Sequence, residues 1–272
     1  MVWDRQISIK SDEEIAIMRK AGEINAEALA AAKAVIRPGV TTAEINDAAE
    51  AVLVKHGTYS PFKNYPGPFP YPASTTVSIN DELVHGIPGK RRVNEGDIVS
   101  IDCGAVFEGF VADSAITVGV GEISAETLHL LQVTEKSLYL GIAQMIAGNR
   151  LGDISSAVQR YVEEEGLFVT KEYTGHGVGR RMHEGPQVPN YGEPGNGMLL
   201  RSGMTIALEP MVLVGTAATK VQPDGWTVTS RDGSLTAHFE HSVAITENGP
   251  VILTLLADGT PPHQITGQQT KD

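Results

Sequence analysis

Acidic residues stand where strand-like apolar runs should bury aliphatic side chains. Asp102 follows Ile98-Val99-Ser100-Ile101, Asp113 follows Phe110-Val111-Ala112, and Glu209 follows Ile206-Ala207-Leu208. Glu240 lies between Phe239 and the run Val243-Ala244-Ile245, and His176 sits among the glycines of Thr174-Gly175-His176-Gly177-Val178-Gly179. Carboxylates are rarely buried without a partner, because desolvating an unpaired charge is costly. Four of them converging on one site would repel one another strongly. A pair of divalent cations offsets that repulsion and accounts for one imidazole among so many oxygens.

The two aspartates flank a turn near Phe107-Gly109, so in an antiparallel hairpin they are expected to sit opposite one another. Taken singly, each also reads as a strand end or a turn residue. Glu209 and Glu240, each within a short strand-like run, read more readily as metal ligands than as structural residues. The glycines around His176 permit close backbone approach, although such a motif alone also describes a surface turn. His183 and His85 each open a short Gly/Pro-containing turn, His183-Glu184-Gly185-Pro186 and His85-Gly86-Ile87-Pro88. Neither is needed to complete two metal shells, and both suit hydrogen bonding to a substrate amide. His56, His129 and His263 read as surface residues of helices or of the tail.

No Gly-x-Ser-x-Gly and no His-Glu-x-x-His occurs, and the glycines around His176 lack the strand-turn-helix context of a dinucleotide fingerprint. The oxygen-rich set therefore leans toward a dinuclear hydrolase that activates water. A net charge of -12 argues against nucleic acid as the main partner. The single cysteine, Cys103, excludes an intramolecular disulfide, and in its apolar strand it reads as a packing residue. Neither a signal-peptide core in Met1 to Lys10 nor a run of about 20 apolar residues is present, so a cytoplasmic enzyme with no membrane partner is expected.

Along the chain, Ser11-Asp12-Glu13-Glu14 reads as a capping box opening a helix to about Val35. Pro38-Gly39 breaks it, Thr42 is expected to cap a second helix to about His56, and a Pro/Gly-rich loop covers 61–72. Strands are expected near 74–80, 98–105 and 110–118. Ser124 should cap a long helix to about Ile146, and Asp153 should open another that ends at Gly166. Displaced by 109 positions, Gly39 falls on Gly148, Ile45 on Ile154, Ala48 on Ala157 and Gly57 on Gly166. The match implies an ancient duplication, two α-β halves about a pseudo-twofold axis. The Asp pair lies in one half and the Glu pair in the other, so the site would straddle the join. The polar segment 257–272 is expected to be a flexible tail.

Several motifs together carry a resemblance. They are Ile9-Lys10-Ser11-x-x-Glu14-Ile15-x-x-Met18-Arg19-x-Ala21-Gly22, Ser78-Ile79-Asn80 leading to His85-Gly86-Ile87-Pro88, Gly96-Asp97 leading to Ile101-Asp102, the Gly-flanked His176, and Glu209-Pro210. From about Ile7 to Leu256 the chain resembles the type I methionine aminopeptidases of bacterial size. The family implies an α+β pita-bread fold of two pseudo-symmetric halves with an antiparallel sheet. Here that would be one catalytic domain over 1–256, with halves near 11–120 and 121–256. It further implies hydrolytic removal of the initiator methionine from nascent polypeptides, with a small uncharged second residue, by metal-activated water.

Carried over by position, Asp102 and Asp113 would bind one metal. Asp113, His176, Glu209 and Glu240 would bind the other, with Asp113 and Glu240 bridging. Glu209 would shuttle a proton, His183 would contact the scissile carbonyl, and His85 would contact the amide nitrogen side. Tyr71, Met182 and Trp226 would line the methionine pocket. Co, Mn, Fe and Zn all tolerate this donor set, so two divalent ions of open identity are expected. Met182 departs from the Phe often found before the second His, and Asn64 to Pro70 is more Pro-rich than the family's loop; both bear on pocket shape. Xaa-Pro peptidases of the same fold carry a large N-terminal domain, whereas only about ten residues precede the first helix here. A monomer is expected, and ribosome docking is left open.

Overall fold

The structure is a computed structural model and describes residues 7–263 and 270–271. Helix α1 (Asp12–Ala34) begins at the expected capping box, with Ser11 Oγ accepting from the Glu14 N–H and the Glu14 carboxylate accepting from the Ser11 N–H. Helix α2 (Thr42–Lys55) is capped by Thr41 rather than Thr42. Thr41 has Glu44 three residues on to complete a second capping box, while the Thr42 hydroxyl bonds the Gly89 loop. Helix α3 (Ala125–Ile142) follows its Ser124 cap but stops short of Ile146. There the chain tightens into three-residue turns that place Met145 in the core. Helix α4 (Leu151–Glu164) starts before Asp153, whose carboxylate reaches back to the Arg150 N–H at 2.7 Å.

In chain order the strands are β1 (Thr75–Ile79), β2 (Glu82–Val84), β3 (Ile98–Phe107), β4 (Phe110–Gly119) and β5 (Ile123–Ser124). They continue as β6 (Phe168–Val169), β7 (Thr174–Gly177), β8 (Glu184–Pro189), β9 (Thr205–Leu208), β10 (Met211–Leu213) and β11 (Thr219–Val221). The last are β12 (Val228–Ser230), β13 (Thr236–His238), β14 (Glu240–Thr246), β15 (Gly249–Ile252) and β16 (Thr270–Lys271). The main sheet runs β1-β3-β4-β14-β9-β7-β8, with β15 also on β14, and every pairing in it is antiparallel. It crosses from the first half of the chain to the second at the β4–β14 pair.

The repeat seen in the sequence is realised in the helices. A shift of 109 positions carries Thr42–Lys55 onto Leu151–Glu164 end to end. The matched breakers Gly39 and Gly148, and Gly57 and Gly166, all adopt positive φ. Helix α1 packs over β3 and β4 and α2 packs on α1 and β1, while α3 packs with α4 and against β9, β13 and β14. Ile24, Leu29, Ile45 and Leu53 meet Val99, Ile101, Cys103, Ala105 and Ile116 in one core; Leu130, Leu138, Ile154 and Val158 meet Ile206, Leu208, Val243 and Ile245 in the other. Each such aliphatic side chain contributes about 1.5–3 kcal/mol on burial, which lets the same strands carry ionisable groups on their opposite face.

Two expectations need correction. Asp102 and Asp113 are not opposite one another: Asp102 pairs with Ala115 and Asp113 with Gly104. The hairpin closes on a two-residue turn, Glu108-Gly109, both at positive φ, and that turn fixes the register. The aspartates are thus diagonal neighbours on one face. The tail is not loose where it begins: Pro262 and His263 are buried. The His263 ring lies 4.9 Å from that of Phe239, and its Nε2 is 3.0 Å from Glu135 on α3. Residues 264–269 and 272 lie outside the described residues. Among the described residues no helix is long and apolar enough to cross a membrane.

Candidate metal centre

Strands β3 and β4 divide their chemistry by face. Val99, Ile101, Cys103 and Ala105 alternate toward α1 and α2, so Asp102 points the other way, and Asp113 shares its face. Glu240 pairs with Ala115 across the β4–β14 join and so arrives beside them. The join is locked by Ser242, whose Oγ donates to the Asp113 carbonyl and accepts from the Asp113 N–H, both at 2.9 Å. Glu209 stands at the break between β9 and β10 rather than within a strand, with its carbonyl held by Asn190 Nδ2 at 2.9 Å. His176 lies on β7, squeezed between β8 and β9. A Cβ on Gly175 would meet the Ala207 carbonyl at 2.6 Å, and one on Gly177 would clash with the Gly185 carbonyl, so only glycines fit beside this histidine.

Four of the five proposed ligands lie almost out of water, and Glu209 is less deeply buried. Asp102 is 8% exposed, Asp113 1%, Glu240 2% and His176 3%. Burial pushes the Asp102 carboxyl up to about 7. Burial, reinforced by the neighbouring carboxylates, holds Asp113, Glu209 and Glu240 well above the usual range. Asp102 Oδ1, Asp113 Oδ1 and Glu240 Oε1 are buried without a hydrogen-bond partner. Among the described residues no Lys or Arg pairs with any of the four. Bare buried carboxylate oxygens require a proton or a cation, and this donor chemistry fits hard and borderline divalent ions.

The imidazole fits the same conclusion. His176 Nδ1 is 2.9 Å from the Gly177 carbonyl, which only accepts, so the ring proton belongs there and Nε2 carries the lone pair. Nε2 stands 3.7 Å from Asp113 Oδ2 and 3.6 Å from Glu209 Oε1. Burial lowers its pKa to about 4, keeping the ligating neutral form at pH 7. Asp113, His176 and Glu240 form one triad spaced to hold a cation; Glu209, His238 and Glu240 form another.

A pocket opens beside these groups and is lined by all ten expected site residues: His85, Asp102, Asp113, His176, Met182, His183, Glu209, Trp226, Glu240 and Tyr71. The rings of His176 and His183 are 4.4 Å apart, and Tyr65 Oη lies 2.6 Å from His183 Nδ1. Burial, followed by the neighbouring His176 and His85, drives His183 down to about 2. His85 adopts φ 62 at the end of β2, with its ring edge-on to Tyr173 and Trp226, and burial lowers it to about 4. The Tyr71 hydroxyl donates to the Gly86 carbonyl at 2.9 Å, with the Thr75 carbonyl at 3.2 Å, which fixes the ring at the pocket wall. The ring packs on Trp226 at 5.1 Å within an apolar cluster that includes Phe62, Ile87 and Met182.

Other surroundings were missed or misread. Tyr65 and Phe62 lie in the Pro-rich loop, where no periodicity marks an inward side chain. His238 was overlooked although it precedes Glu240 by two positions, the spacing that puts both on one face of a strand. His263 is buried, not a surface residue, whereas His129 is exposed as expected. Cys103 is fully buried and its thiol is pushed well above the usual range by burial and then by Asp102 and Asp113, as suits a packing residue.

Known proteins with similar sequence and structure bear on this site. The model of metallopeptidase family M24 matches residues 16–247. A methionine aminopeptidase of Clostridium acetobutylicum is 50% identical over 92% of this chain and 99% of its own length. The solved structure of the methionine aminopeptidase from Thermotoga maritima superposes with a TM-score of 0.89 at 46% identity, covering 92% of this chain and 99% of that one. The prolidase from Pyrococcus furiosus shares the fold, with a TM-score of 0.73 at 26% identity, covering 90% of this chain but 65% of that one. These likenesses bear out the pita-bread fold that the family resemblance implied. The chain therefore belongs to metallopeptidase family M24, among its methionine aminopeptidases, and is a metal-dependent aminopeptidase.

Proposed function

We propose that this enzyme hydrolyses the first peptide bond of polypeptides that begin with methionine, preferring a small uncharged second residue, on a centre of two divalent cations. The observation that carries the reading is the placement of bare, buried carboxylate oxygens against an apolar pocket lined by Met182, Phe62 and Trp226. Asp102, Asp113, His176, Glu209 and Glu240 hold the cations. When bound, divalent ions supply Lewis acidity that polarises a carbonyl and makes water nucleophilic near neutral pH.

The remaining groups act on the substrate. The apolar cluster receives the methionine side chain and excludes water from it. His183, oriented through Tyr65, donates to the oxygen of the scissile carbonyl as negative charge develops there. His85, fixed in its strained backbone conformation, faces the amide nitrogen of the same bond. Glu209, at the break between β9 and β10 beside the cluster, takes a proton from water and passes it to the leaving amine. The catalytic unit spans 1–256, with halves near 11–120 and 121–256 meeting at β4 and β14.

The test is incubation of the metal-loaded protein with Met-Ala-Ser and, separately, with an Xaa-Pro peptide. Metal-dependent release of methionine from the first and little cleavage of the second are expected. Cleavage of the Xaa-Pro peptide alone would move the enzyme to the other branch of its fold.

A further inference from the structure

His238 ends β13, one residue before Phe239 turns its ring into the core, so its side chain emerges on the face that Glu240 also uses. It is 2% exposed, and its Nε2 has no hydrogen-bond partner. Leaving a buried polar nitrogen unsatisfied costs about 1–3 kcal/mol, so an unfilled position here would be a standing penalty. The backbone around it is rigid: Thr117 Oγ1 accepts from the His238 N–H at 2.9 Å and donates to the His238 carbonyl at 2.7 Å.

Nε2 faces carboxylate on two sides, Glu209 Oε2 at 3.6 Å and Glu240 Oε2 at 3.8 Å. These separations are too long for hydrogen bonds. They match those of His176, whose Nε2 lies 3.7 Å from Asp113 and 3.6 Å from Glu209. Donors about 2.1 Å from one cation stand roughly 3.0–3.6 Å apart at angles of about 90–120°, so both imidazoles are spaced as ligands are, within a few tenths of an ångström. The donor atoms of Glu209, His238 and Glu240 lie within 4.8 Å of one another, as do those of Asp113, His176 and Glu240. Glu240 belongs to both triads and can bridge them with its two oxygens.

We propose that His238 is a ligand of the metal centre: its Nε2, with one carboxylate oxygen each from Glu209 and Glu240, holds a divalent cation of the Mn, Fe, Co or Zn class. The centre then has two nitrogen donors, one from His176 and one from His238. An imidazole shifts a site's preference from oxygen-seeking Mn toward Fe, Co and Zn, so His238 also biases which ion this position retains. The inference rests on the metal-centre reading above, and its failure is separable from the failure of that reading.

The experiment is proton NMR of the full chain loaded with Co(II), in which each coordinated imidazole gives one strongly shifted, solvent-exchangeable N–H resonance. The wild type should show two. His238→Gln and His176→Gln should each lose one, and calorimetry should show one equivalent of Co(II) bound more than about 100-fold more weakly to His238→Gln, a loss beyond that typical of groups that merely orient a ligand. Thermal unfolding of the metal-free proteins checks that the variants fold, and the wild-type count needs no variant. One shifted resonance in the wild type, lost only in His176→Gln, would overturn the proposal and leave the metal centre standing. Unchanged Co(II) affinity in His238→Gln with a raised KM would overturn it too, making His238 a substrate contact. No shifted imidazole and no tight Co(II) binding by the wild type would bring down both.

Discussion

His176 Nε2 stands 3.7 Å from Asp113 Oδ2, too far to hydrogen-bond, while its Nδ1 is fixed on the Gly177 carbonyl. Two groups held so close and so rigidly, yet not bonded, are arranged for something between them. Removing either side of the arrangement should remove the cation. His176→Ala and Glu240→Ala are each expected to lower kcat/KM for Met-Ala-Ser by more than about 100-fold, the upper range for losing an outer-shell group alone. The metal-free Glu240→Ala variant should unfold at or above the wild-type temperature, because Glu240 is a buried carboxyl crowded by other carboxyls. Near-normal turnover in either variant would refute the ligand assignment.

The same charges set a pH dependence of stability. Asp102 titrates at about 7 in the folded chain, against about 3.9 when unfolded. A raised folded-state pKa contributes stability that is fully present below the unfolded value and is lost as pH rises through the folded value. His176 has the opposite sign: depressed to about 4, it contributes stability present above about 6.5 and lost as pH falls toward 4. Between about pH 6.5 and 8 only the carboxylate effect varies appreciably at these sites. The melting temperature of the chelated protein should therefore fall across that interval, and the Mn(II)-loaded protein should show a smaller fall. Calorimetric melting of both forms checks this; identical slopes would contradict it.

His183 should separate from the ligands in its phenotype. His183→Ala is expected to reduce kcat about 100- to 1,000-fold, the range for losing one donor to a developing oxyanion, with metal affinity nearly unchanged. Tyr65→Phe, which removes the hydroxyl 2.6 Å from His183 Nδ1, should reduce kcat by a smaller factor in the same direction. Titration calorimetry alongside steady-state kinetics distinguishes the two roles. An equal loss of metal would make His183 a ligand.

The Pro-rich loop offers a steric test of the methionine pocket. Gly67 lies against the Trp226 ring, and a Cβ there would clash with it. Trp226 is tethered by its Nε1 to the Phe69 carbonyl at 3.2 Å and packs on Tyr71. Gly67→Ala should thus displace the indole toward the pocket and raise KM for Met-Ala-Ser several-fold, with metal content unchanged. An unaltered KM would place the methionine side chain elsewhere.

Much of this was legible in the chain because buried charge is conspicuous against apolar runs. Asp102, Asp113, Glu209 and Glu240 were identifiable as residues out of place, and the duplication explained how two pairs from distant segments could converge. Register was not legible: the diagonal offset of Asp102 and Asp113 depends on Glu108-Gly109 forming a two-residue turn, and the alternation of side chains alone does not fix turn length. His238 escaped notice because one histidine beside a Glu already marked as a ligand carries little weight without its distances. His263 was assigned to a polar tail, and only tertiary packing against Phe239 and Glu135 reveals its burial. Tyr65 sits in a loop with no periodic pattern, so no sequence rule directs its hydroxyl to His183.

The central claim is that a buried carboxylate and imidazole cluster binds divalent cations and thereby cleaves N-terminal methionine. It is tested most directly by stripping the full chain with a chelator, confirming that metal is gone, and measuring methionine released from Met-Ala-Ser before and after readdition of Mn(II) or Co(II). Negligible release by the stripped protein and restoration by the added ion are expected. Full activity without metal, or none after reloading a folded protein, would contradict it.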